Sequence, residues 1–365
     1  MQKSKKTKIL LIILLISMFV VIPNLFFNRR PPQESSVYYE YTTGYAVGVY
    51  VSGDYAYMTA DINGLAILDI SDPTNPGAPV YEDTTGQAWG VYASGDYAYV
   101  ADGDSGLAVI DVSDPTNPGT PVYEDTTRFA YGVYVSGNYA YVADSASGLA
   151  VIDVSDPTNP GTPIYEDTTG YAVGVYVSGD YAYIADGNQG LAVIDISDPA
   201  NPGAPVYEDT TGYAVGVYVS GDYAYIADDN QGLAVIDVSD PTNPGTPVYE
   251  DTTGDARGVY VSGDYAYVAD WTSGLAVIDV SDPTNPGTPV YEDTTGYAVG
   301  VYVSGDYAYI ADDTQGLAVI DVSDLINPRT PGGAIPFELI ILASVIYGGA
   351  VIGVAVVILI RRKRK

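Results

Sequence analysis

The chain contains no cysteine and no histidine, and only two tryptophans, five phenylalanines and three methionines among 365 residues. Without thiol or imidazole there is no disulfide, no Cys or His metal ligand, no Cys nucleophile and no histidine-based triad. Positive charge is nearly missing from the middle of the chain. Of 14 Lys and Arg residues only Arg128, Arg257 and Arg329 lie between residues 31 and 334, whereas every one of the 46 carboxylates except Glu338 lies there. So acidic a body repels nucleic-acid phosphates and anionic lipid surfaces, which excludes nucleic acid as an expected partner. What is present in quantity is tyrosine, at 36 residues, within an apolar fraction of 47%. That composition supports a packed core and excludes a disordered or collagenous chain.

The middle is one unit written seven times. A Gly-Val pair opens each copy, or Gly-Val-Tyr more fully, at Gly48, Gly90, Gly132, Gly174, Gly216, Gly258 and Gly300, always 42 residues apart. In the first copy four short strands are predicted over residues 46–51, 55–59, 65–70 and 80–84, termed A to D here, with Gly, Asp, Asn and Pro punctuating between them. Strand C is continuously apolar, as in Leu107, Ala108, Val109 and Ile110, which requires cover on both faces. Four strands in about 40 to 45 residues is the period of a propeller blade; a β-solenoid is the runner-up. The fold expected is therefore all-β, a seven-bladed β-propeller. Copy seven departs from the repeat after Asp324 and lacks its fourth strand, while Val37, Tyr38, Tyr39, Glu40, Tyr41 and Thr42 match the strand-D text at Val80, Tyr81, Glu82, Asp83 and Thr84. An N-terminal strand over residues 37–43 is thus expected to close a ring spanning 37–324.

Both ends read as membrane segments. Residues 1–30 carry Lys3, Lys5, Lys6 and Lys8 ahead of an apolar run at 9–27, the pattern of a signal peptide or a signal anchor. After a linker at 325–336, residues 337–360 read as a transmembrane helix with a basic tail at 361–365. The positive-inside rule keeps both basic clusters cytoplasmic and places the ring on the extracytoplasmic side, joined to the first segment by a linker at 31–36.

The text of residues 106–115, Gly-Leu-Ala-Val-Ile-Asp-Val-Ser-Asp-Pro, resembles the LVIVD-repeat family of bacterial and archaeal surface propellers. The resemblance implies the fold and a cell-surface location and says little of activity. The C-terminal end is also similar to archaeal surface-protein sorting tails, with Ile335, Pro336 and Phe337 where those tails show Pro-Gly-Phe.

Differences between copies gather on one edge of the ring, where D leads into A and where B turns into C. The A–B and C–D turns on the other edge, with Ser52-Gly53-Asp54 and Pro73-Thr74-Asn75-Pro76-Gly77, barely vary and read as backbone chemistry. The variable edge carries Tyr45, Trp89, Arg128, Phe129, Tyr131, Tyr171, Tyr213, Asp255, Arg257, Trp271 and Tyr297. Trp, Tyr and Arg dominate the energetic centres of interfaces, so these residues are the candidate contacts for a protein or glycan. With short tethers on the invariant edge, the variable edge is expected to face outward. Alternating oxygens at Asp102 and Asp104, and at Asp228 and Asp229, mark weak candidate calcium sites, although neither loop completes a calcium-binding loop. No carboxylate pair is singled out from its copies, so no enzyme activity and no required cofactor are expected. The function expected is a membrane-anchored binding or adhesion module, the alternatives being an envelope scaffold or lectin-like carbohydrate binding.

Overall fold

In the computed structural model, residues 36–326 are described. They form seven four-stranded antiparallel sheets, each the blade that one repeat predicts. Blade 1 is typical: strand A at Val49–Ser52, B at Tyr55–Thr59, C at Leu65–Asp69 and D at Val80–Glu82. Strand A is later than expected, because Ala46 instead makes an isolated bridge to Asp313 in the preceding blade. Strand D is shorter, because Thr84 and its successors turn aside to hold the next blade. A short helix, Ser323–Ile326, ends the described chain. The apolar runs expected to meet a membrane lie outside the described residues; among those described, no helix is long and apolar enough to cross one.

The ring closes as the incomplete seventh copy required. Val37–Glu40 pairs antiparallel with Leu317–Asp321, Val37 facing Ile320 and Glu40 facing Leu317. Blade 7 thus takes its outer strand from the start of the ring. Because Val37 and Ile320 face each other, the chain enters and leaves the ring at the same edge, the one bearing the C–D turns.

Strands B and C are buried on both faces because each blade is sandwiched between two others. One face of blade 2 contributes Tyr99, Leu107 and Val109 to a cluster with Val133, Val142 and Ile152 of blade 3. The closing interface repeats this, with Tyr309, Leu317 and Val319 against Val49, Met58 and Leu68. Apolar alternation therefore works between blades, not toward a wet face.

Around the axis the inner strands form two tiers. In the first, the seven repeat glycines meet: a Cβ on Gly132 would lie 2.8 Å from the Val173 carbonyl oxygen and 3.4 Å from the Gly174 Cα. The second is Tyr50, Tyr92, Tyr134, Tyr176, Tyr218, Tyr260 and Tyr302, whose rings touch in a closed circuit with centroids 4.6–4.9 Å apart. Each such pair adds about 0.5–1.5 kcal/mol beyond its area burial. Burial and neighbouring phenols push Tyr134 far above the usual tyrosine range, so its hydroxyl keeps its proton inside the circuit.

Blades are also pinned by polar staples. At the end of strand B, the fully buried Asp102 accepts from the Thr84 hydroxyl at 2.6 Å and from the Gly86 N–H at 2.8 Å, which fixes the link entering its blade. Asp144, Asp186, Asp228, Asp270 and Asp312 do the same with Thr126, Thr168, Thr210, Thr252 and Thr294. Blade 1 departs: Ala60 stands at this position, and the hydroxyl of Thr42, which the missing carboxylate would meet, is buried without a partner.

Two outcomes are expected. Gly132→Ala forces its Cβ against backbone and lowers stability by about 1–3 kcal/mol in a thermal or denaturant melt; an unchanged melt would show that the glycine tier is not tight. The staples are read by pH. Burial raises the Asp102 pKa despite its donors, so the folded ring holds its proton to higher pH than the unfolded chain. The group's contribution is therefore most favourable below the unfolded value of 3.8 and is lost as pH rises through the folded value. Asp102→Asn has no such loss, so its melting temperature relative to the parent is expected to climb as pH is raised from about 4 toward 7. A flat difference would mean that the hydrogen bonds balance burial, and a falling one that they outweigh it.

Candidate functional site

Each B–C turn reaches across to the link that enters the following blade. Gly103 exchanges backbone hydrogen bonds with Ala130 at 3.0 and 3.2 Å, and the same bridge recurs around the ring. This brings the two variable segments together on one edge, around the channel mouth. A cavity of about 340 Å³ opens there, lined by Val47, Trp89, Tyr131, Val173, Val215, Arg257, Trp271 and Val299. All but Trp271 are the residue just ahead of the glycine tier in their blade, so one register position supplies seven wall residues.

Of the residues singled out in the sequence, Trp89, Tyr131, Arg257 and Trp271 converge on this cavity. Phe129 packs edge-on against Trp89 at 5.9 Å and tilted against Tyr131 at 4.7 Å, completing an aromatic wall from blades 2 and 3. Across the mouth, Trp271 stacks on Tyr297 at 4.7 Å with the planes 10° apart, and the Arg257 guanidinium lies 5.1 Å from the Trp271 ring centre. The same guanidinium reaches Asp255 at 3.1 Å and Asp229 at 3.3 Å. Tyr213 lies over Gly187 as Phe129 lies over Gly103, where a Cβ would strike either ring; both aromatics pack between blades. Tyr45 and Tyr171 stand on the rim, 54% and 52% exposed. Arg128 is exposed and outside the cavity wall; its backbone N–H donates to Asp144. Valines 173, 215 and 299 were missed in the sequence because valine is ordinary core; their shared register with Trp89 was the available signal.

The calcium candidates have other engagements. Asp102 and Asp228 are turned inward onto Thr and Gly donors, and Asp229 pairs with Arg257. Asp104 is exposed. Among the described residues no group of three or more His, Cys, Asp or Glu could hold a metal ion.

Trp271 is also the backbone anomaly of the site. The first residue of the B–C turn is left-handed throughout: Gly in blades 2 and 4, Asp61, Ser145, Asp229 and Asp313 elsewhere, and Trp271 at φ 45°. Small polar residues tolerate that region; a bulky side chain there costs roughly 1–2 kcal/mol.

A protein-family model, described as the LVIVD repeat, matches the chain seven times, at residues 43–79, 85–121, 127–163, 169–205, 211–247, 253–289 and 295–331. The chain belongs to the LVIVD-repeat family. No curated protein matches it in sequence. Solved structures similar to this LVIVD propeller include U3-55K, at TM-score 0.65 and 10% identity over 79% of this chain and 98% of that one. The β-propeller domain of Cps50 (Swd1) from Myceliophteria thermophila gives 0.64 and 11%, over 79% and 100%. A computationally designed protein, Ika8, gives 0.58 and 8%, over 78% and 98%. Identities this low carry the fold alone.

If Trp271 is held at φ 45° for its ring and not for stability, Trp271→Gly should melt within about 1 kcal/mol of the parent, since relieved strain offsets the lost stack. A loss of about 3–5 kcal/mol, as for a core aromatic, would make Trp271 structural.

Proposed function

We propose that this LVIVD propeller is a non-catalytic binding or adhesion module at the cell surface, anchored to the membrane by its apolar end segments, with the channel mouth as its binding site. The carrying observation is Trp271: a strained backbone position spends stability to hold an indole at the cavity wall, in a stack with Arg257 and Tyr297. Strain of this kind is stored where a site needs it. Two further points support the reading. Both tryptophans of the chain line one cavity, although either could have been placed on any of seven equivalent blades. The ring is entered and left at the opposite edge, which suits a mouth that faces away from whatever holds the ends. The buried aspartates argue against catalysis, because six near-identical copies serve the same staple and none is set apart.

The test is retention of envelope material by the immobilised full-length chain, beside Trp89→Ala/Arg128→Ala/Arg257→Ala/Trp271→Ala and a control, Asp72→Ala, on the invariant edge. The parent and the control are expected to retain the same protein or glycan and the fourfold variant, shown to be folded, to lose it. Equal retention by all three would instead favour a structural role in the envelope.

A further inference from the structure

The mouth cavity has a chemistry that chooses among ligand classes. Arg257 is the cation of its wall, and two carboxylates already face it, Asp255 at 3.1 Å and Asp229 at 3.3 Å. One guanidinium against two carboxylates, on a chain of formal charge −32, leaves the site net negative, so a carboxylate or phosphate ligand meets repulsion. A cation meets a different obstacle. Trp89 Nε1 and Arg257 Nε are buried and have no hydrogen-bond partner. Buried donors without acceptors are costly, and a ligand that pairs them gains in proportion. An ammonium group brings no lone pair to either.

A neutral polyhydroxy ligand answers both conditions. On a small side-chain shift that opens them to the cavity, Trp89 Nε1 and Arg257 Nε donate to its oxygens, and its hydroxyls donate to the part-exposed Asp255 beside Arg257. The C–H face of a pyranose ring is apolar and lies flat on an indole, and Trp89 and Trp271 stand in the wall to receive it. The cavity, about 340 Å³, is at the small end of ligand pockets, which run from about 300 to 1,000 Å³. We propose that the channel mouth binds a neutral saccharide of one or two rings, between the Trp89 wall and the Arg257–Trp271 wall. This rests on the mouth being a binding site at all.

The chain offers its own reporter, since its only two tryptophans both line the cavity. Tryptophan emission of the full-length chain is followed while glucose, galactose, mannose, N-acetylglucosamine and their disaccharides are added, with glucuronate, choline and an uncharged tripeptide as probes of other classes. A saturable change with at least one neutral sugar is expected. Trp89→Phe keeps a ring but removes the N–H, and Asp255→Ala removes a hydroxyl acceptor; each, with an unaltered fold by circular dichroism, is expected to weaken binding about tenfold or more. Asp72→Ala on the opposite edge is expected to bind as the parent does. Absence of a saturable response to every neutral sugar, or equal affinity in parent and both mouth variants, overturns the proposal. If glucuronate, choline or the peptide saturates the emission instead, the saccharide class is wrong and the mouth is still a binding site. If no probe responds and the fourfold variant retains the same envelope material as the parent, both readings fail.

Discussion

Seven inner strands meet around one axis, and the room they have there is set by backbone, not by side chains. At the repeat glycines neighbouring strands come so close that even a methyl group would collide with a carbonyl, and this approach dictates what surrounds it. It brings the tyrosines two residues later into a closed circuit of touching rings. It also lets strands B and C bury both faces against neighbouring blades. Without disulfides, the ring depends on this closure: every interface resembles the next, and the last is sealed by Val37–Glu40.

Regular closure has a consequence for function. A structure whose interfaces must all match leaves little freedom for change within the blades, and sequence differences are pushed to the edge where B–C turns meet the entering links. The register position just ahead of the glycine tier is where variation becomes visible at the mouth. Four of its seven residues are valine, and the exceptions are Trp89, Tyr131 and Arg257. Asymmetry at the mouth is thus laid over a near-symmetric scaffold.

The polar staples show how the scaffold tolerates its acidity. Six buried aspartates sit in an unfavourable medium, and each is held by a threonine hydroxyl and at least one backbone N–H. The exposed aspartates of the C–D turns do the reverse. Asp69 and its counterparts in blades 2 to 6 accept from a nearby serine, which lowers their pKa. Two sets of carboxylates therefore respond to acid in opposite senses, one losing stabilising contacts and the other losing a burial cost. Blade 1, with Ala60 and an unpartnered Thr42, lacks one staple at the seam where the ring closes.

The sequence alone determined blade count, strand order, ring closure and the edge on which variation falls, because an invariant 42-residue repeat with a continuously apolar third strand admits few other packings. It also brought Trp89, Tyr131, Arg257 and Trp271 forward as residue types. It misjudged local extents: strand A begins at Val49 rather than Ala46, since a bridge to the neighbouring blade captures that residue. What only the tertiary structure decided is which variable residues meet. Arg257 finds Asp229 in the preceding blade and Trp271 in its own, while Trp271 finds Tyr297 in the next. Likewise Asp102 and Asp228, loop carboxylates on paper, prove to be buried staples. The reason is geometric: the repeat specifies each blade, but contacts between blades depend on how far each turn reaches around the ring, and no single repeat contains that distance.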